Sequence, residues 1–154
     1  MNQLHIPRER IVSLAKDWIN TPYQHQASVK GAGCDCLGLI RGIWRELYGE
    51  EPMAVPPYTP DWAESLGQET LLEAARNCLT PVPDEAAQPG DVLLFRMAPS
   101  VPCKHIAILS APDRIIHAYW GRAVVESYLV PYWTRRHAFS FSFPATPASF
   151  GRPK

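Results

Sequence analysis

Residues 33–47, GCDCLGLIRGIWREL, contain the strongest helical pattern of the chain. From Cys36 onward, apolar side chains recur three, four, seven, eight and eleven positions later, which is the spacing of one continuous buried face of an α-helix. The apolar positions are Leu39, Ile40, Ile43, Trp44 and Leu47. The pattern predicts a helix that begins at Cys36, with Asp35 as its N-cap and Gly49 as its C-cap.

Outside this helix, the chain divides into a helical first part and a strand-rich second part. Helical spacing also covers residues 8–18 and about 61–79, separated by a loop at 23–33 and a proline-rich connection at 51–60. Short segments rich in Val, Ile, Leu and aromatic residues predict antiparallel strands at 91–96, 105–109, 114–119, 123–128 and 137–143. This order predicts an α+β domain in which N-terminal helices pack on a C-terminal antiparallel β-sheet.

Length and composition favour one domain and argue against a polyanionic partner. The 154 residues, 46% of them hydrophobic, suffice for a single core, which we place at residues 1–148, with a loosely ordered tail at 149–154. Fifteen basic and fifteen acidic side chains give a net charge of zero, so no strong field gathers nucleic acid or an anionic membrane. We therefore expect no nucleic-acid partner.

The sequence also predicts no membrane insertion. No segment approaches the roughly 18 consecutive apolar residues that a membrane-spanning helix needs. The first 18 residues lack the uninterrupted apolar stretch of a signal peptide. We expect a protein that is made in the cytoplasm without an export signal of its own.

The position of Cys36 predicts a catalytic thiol. It lies at the start of the predicted helix, where free backbone N–H groups and a partial positive charge favour a thiolate. The chain has four cysteines, which are too few and too unevenly spread for a disulfide scaffold. Cys78 has a helical spacing with Leu71 and Ala75 and is expected to be a small core residue. Cys36 is the candidate nucleophile.

His105 and His117 are the candidate partners of that thiol, because imidazole is the base best matched to neutral pH. They lie in two predicted strands joined by a short turn, so antiparallel pairing would bring the two rings together on one face of the sheet. We predict that His105 takes the proton of Cys36, and that His117 fixes the orientation and tautomer of His105.

The helix start also supplies the candidate oxyanion region. A tetrahedral oxyanion would be held by the backbone N–H of Cys36 and one further donor, for which the Tyr23 hydroxyl is the candidate. Asp35 is assigned to the same substrate and oxyanion region. Neither a metal ion nor another cofactor is required by this chemistry, and we expect none.

A zinc site is the main alternative reading of the cysteines. Cys34, Cys36, Cys103 and His105 offer three thiolates and an imidazole, which is a possible tetrahedral zinc set. Each pair has a single intervening residue, whereas structural zinc sites usually separate neighbouring ligands by two to four. A Cys34–Cys103 disulfide, or simple packing of both thiols beside the site, also remains open.

Several motifs together resemble the NlpC/p60 family of cell-wall cysteine peptidases. They are TPYQHQ at 21–26, GCDCLGLI at 33–40, QPGDVLLF at 88–95, HIAIL at 105–109 and IIHA at 115–118. The resemblance spans roughly residues 8–128 and implies a papain-like fold, with Cys36 as nucleophile, His105 as base, His117 as orienting residue and Tyr23 near the oxyanion. Leu37 departs from the pattern, since the family usually has Ser there.

The same resemblance implies a substrate and a biological setting. The family hydrolyses an amide bond in the peptide stem of peptidoglycan, often the bond between D-glutamate and diaminopimelate. Residues 18–47 resemble the branch found in tailed phages and gene transfer agents, which implies tail proteins as partners, carriage in a virion and action at the cell wall in the periplasm. The alternative is a structural tail-tip protein that keeps the fold without the activity.

Overall fold

The computed structural model describes residues 6–52, 69–119 and 121–145. Within these ranges the helices are α1 (Arg8–Asp17), α2 (Cys36–Tyr48), α3 (Thr70–Cys78) and α4 (Pro131–Thr134), and a short 3-10 turn spans Asp84–Ala86. The strands are β1 (Ser28–Val29), β2 (Gly33–Cys34), β3 (Thr80–Val82), β4 (Val92–Arg96), β5 (Cys103–Ala111), β6 (Arg114–Ala118), β7 (Val124–Tyr128) and β8 (His137–Ser142). No helix in these ranges combines the length and the apolarity that a membrane crossing requires.

A six-stranded antiparallel sheet forms the centre of the fold, in the order β3-β8-β4-β5-β6-β7. The first two strands, β1 and β2, pair with each other in a small separate hairpin just before α2. Strands β5 and β6 form a tight hairpin in which Ile108 lies opposite Ile116. The predicted α+β class, with helices first and an antiparallel sheet afterwards, is confirmed.

The two faces of the sheet have different cores. On one face, the buried side of α2 and the inward residues of α1 and α3 pack against strand residues such as Ile106, Ile108 and Ile116. The opposite face carries a smaller cluster of Leu93, Phe95, Ala107, Leu109, Ile115 and, from α4, Trp133. Because side chains alternate along a strand, His105 and His117 share the side of this second cluster.

Gly42 allows α1 and α2 to approach closely. A Cβ atom at this position would lie 2.0 Å from the Trp18 ring, which is 2% exposed. The Trp18 indole N–H donates to a Glu46 carboxylate oxygen at 3.0 Å, so the ring is fixed at both its apolar and its polar end. This contact orients α2, and with it the helix start that carries Cys36.

Three features of the fold differ from the sequence predictions. The loop predicted at 23–33 contains the β1–β2 hairpin, and Pro81 lies within β3, where an edge strand tolerates the missing N–H. At 137–143 the sequence alternates aromatic and imidazole side chains with Ala and Ser, which predicts a strand with one buried face, but in β8 Ser140 is as buried as Phe141. The Ser140 hydroxyl donates to the Asp84 carboxylate at 2.7 Å and is hydrogen-bonded to His137, so its hydrogen-bonding groups have partners although the residue is buried.

Other sequence predictions lie partly outside the described residues. The helix predicted at 61–79 is described from Thr70 to Cys78, and most of the proline-rich connection and the tail at 149–154 fall in the undescribed ranges. The short helix α4 was not predicted. Its four residues are too few to show a helical period in the sequence.

Candidate active site

The Asp35 carboxylate closes the N-terminus of α2. Its Oδ1 accepts the backbone N–H of Gly38 at 2.7 Å, and its Oδ2 accepts the backbone N–H of Gln26 at 2.7 Å. The side chain is buried, so both bonds are charge-assisted contacts away from bulk water. The predicted N-cap is confirmed, and it also ties the preceding loop to the first turn of the helix.

Gly38 is required by the close approach of this loop. A Cβ atom at Gly38 would lie 1.9 Å from the Ala27 carbonyl oxygen, which is backbone and cannot rotate aside. The Ser28 hydroxyl donates to the Gly38 carbonyl at 2.6 Å. Residues 26–28 thus hold the first turn of α2 in place, and Cys36 with it.

The Cys36 thiol contacts the beginning of β5 on both sides of His105. Its Sγ lies 3.8 Å from the Lys104 carbonyl oxygen, to which the thiol donates, and the backbone N–H of Ile106 is also directed at the sulfur. These two groups flank His105 in the chain, so α2 places the Cys36 thiol against the backbone on either side of this histidine.

The thiol is neutral at neutral pH. Burial is the main reason that the pKa of the Cys36 thiol rises to about 12, and the Asp35 carboxylate adds to the rise. The backbone N–H groups of Ile106, Leu37 and Cys36 act in the opposite direction. The thiolate that we expected from the helix N-terminus is therefore not favoured, because desolvation outweighs these hydrogen bonds. Such a thiol needs a base.

The two predicted imidazoles are directly hydrogen-bonded. His105 Nε2 and His117 Nδ1 lie 2.8 Å apart, and the predicted pairing of the two strands is the cause. His117 Nε2 in turn lies 3.0 Å from the Ser127 hydroxyl. With Nε2 of His105 engaged, Nδ1 is the ring nitrogen left to receive a proton from a nucleophile.

Aromatic rings cover the imidazole pair. Trp133 stacks on His105 with ring centroids 5.1 Å apart and an interplanar angle of 25°, and it meets His117 edge-on at 5.0 Å. Phe95 and Tyr119 flank His105 at 5.8 and 5.9 Å. These rings fix the orientation of His105 and bury most of it.

This cover keeps both imidazoles neutral. Burial is the largest cause that lowers the pKa of His105 well below its usual value, and His117 and Lys104 add to the effect. Burial alone lowers the pKa of His117 to about 4. At neutral pH each ring therefore carries one N–H and one lone pair, which is the state that a general base requires.

Tyr23 and Cys36 pack on the same core, close enough for the thiol to affect the Tyr23 hydroxyl. The pKa of its hydroxyl is raised mainly by burial, and next by Cys36, Asp35 and Cys34, in that order. The hydroxyl is therefore a protonated donor in the electrostatic neighbourhood of the sulfur. Asp35, as a carboxylate that accepts from two N–H groups, contributes to this region by holding the helix start.

The remaining cysteines are core residues in the described structure. None of the three forms a disulfide; Cys34 and Cys103 are fully buried, and Cys78 is half-buried and packs on the core. Among the described residues, His, Cys, Asp and Glu side chains form no group of three or more that could hold a metal ion. The structure gives no support to the zinc alternative and shows no Cys34–Cys103 disulfide.

Sequence reasoning missed Ser127 and Trp133. Ser127 lies in the predicted strand 123–128. Which side chain of that strand meets His117 depends on the β6–β7 register, which the local sequence does not specify. Trp133 follows Pro131 in a segment without periodicity. The available signal was an aromatic residue two positions after a proline, which is too common a pattern to assign a role.

The sequence profile of the NlpC/P60 family matches residues 20–140. Murein DD-endopeptidase MepS/Murein LD-carboxypeptidase of Escherichia coli (strain K12) is 27% identical over 131 residues, which are 84% of this chain and 60% of the relative. The chain thus spans less than two thirds of this relative.

Solved structures show the same fold. The NlpC/p60 domain of the peptidoglycan hydrolase SagA superposes with a TM-score of 0.64 at 23% identity, covering 90% of this chain and 100% of that one. RipD from Mycobacterium tuberculosis, described as a non-catalytic NlpC/p60 domain protein adapted to peptidoglycan binding, has a TM-score of 0.53 at 14% identity, with coverage of 90% and 98%. The fold therefore occurs with and without catalysis.

Proposed function

The chain belongs to the NlpC/P60 family, and on that premise we propose that it is a cysteine peptidase that hydrolyses an amide bond in the peptide stem of bacterial peptidoglycan. The family consists of peptidoglycan hydrolase-like proteins, and the E. coli relative is named as a murein endopeptidase and carboxypeptidase. One observation carries the proposal: the Cys36 thiol contacts the backbone of β5 directly beside His105, and His105 is hydrogen-bonded to His117 on β6.

The proposed reaction starts from a neutral thiol and a neutral imidazole. As Sγ of Cys36 attacks the scissile carbonyl carbon, His105 Nδ1 removes the thiol proton, so the charge never rests on an isolated thiolate. The carbonyl oxygen becomes an oxyanion, which the Cys36 N–H and the Tyr23 hydroxyl stabilise. His117 accepts the Nε2–H of His105 and so stabilises the imidazolium that forms.

The intermediate then collapses with transfer of the same proton. His105 Nδ1–H protonates the leaving amine, the C–N bond breaks, and an acyl-thioester remains on Cys36. In the second half, His105 removes a proton from water, which attacks the thioester. The C–S bond breaks, the carboxylic acid leaves, and the thiol is reprotonated by His105.

A stem-peptide digestion tests the proposal. The purified protein is incubated with peptidoglycan and with a defined stem tetrapeptide, and the products are identified by mass spectrometry. Cleavage by the native chain and by Cys78→Ala, but not by Cys36→Ala, is expected, because Cys78 is a thiol at the end of α3 that has no role in the proposed reaction. Uncut stem peptide in all three samples would reject this substrate.

The product masses also identify the bond. We propose the bond between D-glutamate and diaminopimelate, following the family resemblance of the motifs at 33–40 and 105–109. The name of the E. coli relative contains a DD-endopeptidase and an LD-carboxypeptidase activity, and these cuts give products of different mass.

We further propose that the protein is a tail-associated component of a phage or gene transfer agent. Support comes from the resemblance of residues 18–47 to that branch of the family. In this setting the protein is carried to the wall in a particle, contacts tail or tail-tip proteins, and acts in the periplasm. Mass spectrometry of purified particles from a producing strain should find the chain at a fixed ratio to the tail proteins, and its absence from intact particles would refute this location.

RipD gives the non-catalytic alternative a specific basis, since that protein has this fold and is described as non-catalytic. A structural tail-tip role would leave peptidoglycan binding intact in the absence of cleavage. Sedimentation of the protein with peptidoglycan, without release of stem peptides, would favour that alternative. The bonded imidazole pair, with the Cys36 thiol against the backbone beside His105, favours catalysis.

A further inference from the structure

We propose that Ser127 is a positioning residue that sets the tautomers of His117 and His105 by accepting a hydrogen bond from His117 Nε2. This inference rests on the proposed function for its catalytic meaning, but its structural content stands apart from the substrate. It extends the pair of imidazoles to a chain of three side chains on β5, β6 and β7.

The geometry of the sheet creates this chain. In the β6–β7 register Ile115 lies opposite Ser127 and His117 lies opposite Val125, so the Ser127 side chain reaches His117 diagonally on the same face. The Ser127 Oγ lies 3.0 Å from His117 Nε2, and His117 Nδ1 lies 2.8 Å from His105 Nε2. His117 is 1% exposed, so water does not readily replace either partner.

Two hydrogen-bond directions are possible in this chain, and only one makes His105 a base. For Nδ1 of His105 to accept a proton, its N–H must be on Nε2 and donate to His117 Nδ1. The N–H of His117 must then be on Nε2, where it needs an acceptor, and Ser127 is the residue placed to accept it. In the reverse direction, Nδ1 of His105 already carries hydrogen and cannot accept the thiol proton.

Loss of the serine oxygen therefore affects the two directions unequally. Without an acceptor, the Nε2–H of the buried His117 would be unsatisfied, which is unfavourable. The reverse arrangement leaves only a lone pair at Nε2 and is favoured instead. The Ser127 hydroxyl on the edge strand β7 is thus connected, through two hydrogen bonds, to His105 and to the protonation state of its Nδ1.

The test is a spectroscopic measurement on the full chain labelled with ¹⁵N-histidine at neutral pH. In the native protein, the imidazole nitrogen shifts should show both His105 and His117 with hydrogen on Nε2. In Ser127→Ala, both should shift toward the Nδ1–H tautomer, and kcat for stem-peptide cleavage should fall roughly tenfold with little change in KM. Ser127→Thr, which keeps the hydroxyl and suits a strand, should restore both readouts.

Ser110→Ala is the matched control. Ser110 is a strand serine whose hydroxyl donates to Glu126 at 2.7 Å, and its removal should leave both tautomers unchanged. Native tautomers in Ser127→Ala, or a Ser127→Thr protein that behaves like Ser127→Ala, would overturn the inference. If the native chain cleaves no stem peptide, the proposed function fails, while the tautomer measurement still decides the role of Ser127.

Discussion

Replacement of Asp35 by Ala should destabilise the protein while it makes the Cys36 thiol easier to ionise. The carboxylate accepts two backbone N–H groups at 2.7 Å, one from the first turn of α2 and one from Gln26, and both become unsatisfied in the variant. Loss of an N-cap costs about 0.5–2 kcal/mol, and loss of a second hydrogen bond to a charged group about 1.5–3 kcal/mol. We expect about 3 kcal/mol less free energy of unfolding.

The effect on the thiol follows from the same carboxylate. Asp35 is the second cause, after burial, of the raised pKa of Cys36, so its removal lowers that pKa. The alkylation rate by iodoacetamide, measured against pH, should show its midpoint at lower pH in Asp35→Ala. Asp35→Asn keeps one acceptor oxygen and removes the charge, so it should lose less stability and show the same direction of shift.

Urea unfolding at constant pH measures the first effect and the alkylation profile measures the second. Asp17→Ala is the control, because Asp17 is an exposed aspartate at the end of α1, and it should change stability by less than about 0.5 kcal/mol. An Asp35→Ala protein as stable as the native chain would refute the capping account. An unchanged alkylation midpoint in both Asp35 variants would refute the electrostatic account.

Two further predictions concern the imidazoles and the helix start. The pKa of His117 is about 4 in the folded protein and near 6.5 in the unfolded chain, so the unfolded chain binds more protons between these values and stability falls as the pH drops from 6.5 toward 4. The loss that comes from His117 is about 3 kcal/mol. The free energy of unfolding in urea, measured at pH 7 and at pH 4.5, should therefore differ less in His117→Gln than in the native chain. An equal difference in both proteins would contradict this. Gly38→Ala should lower the free energy of unfolding by about 3 kcal/mol and displace Cys36 from β5, because its Cβ would lie 1.9 Å from the Ala27 carbonyl oxygen. Native stability and native peptidase activity in this variant would contradict the role given to this close contact.

The helix that begins at Cys36 could be predicted from sequence because one regular period and one cap coincide there. The apolar stripe specifies which face is buried, and the aspartate before it specifies where the helix begins. The hairpin of His105 and His117 could also be predicted, since a short turn permits few registers. Both predictions depend on local pattern alone, and their geometry is confirmed.

The rest of the site depends on contacts between distant segments. Ser127 contacts His117 because β6 and β7 pair in a register that the sequence of neither strand specifies. Trp133 contacts His105 from a helix of only four residues. The ionisation of Cys36 was predicted from the helix N-terminus, but burial against β5, which only the fold creates, has the larger effect. Local sequence signals cannot report that burial.

The cleavage rate of a defined peptidoglycan stem tetrapeptide by the native chain and by Cys36→Ala, with folding of both verified by unfolding curves, tests the central claim most directly. We predict multiple turnovers by the native chain and a loss of roughly a thousandfold or more in Cys36→Ala, because the nucleophile is removed while the bonded imidazoles remain. Equal rates of cleavage by the two folded proteins would contradict the assignment of Cys36 as the nucleophile.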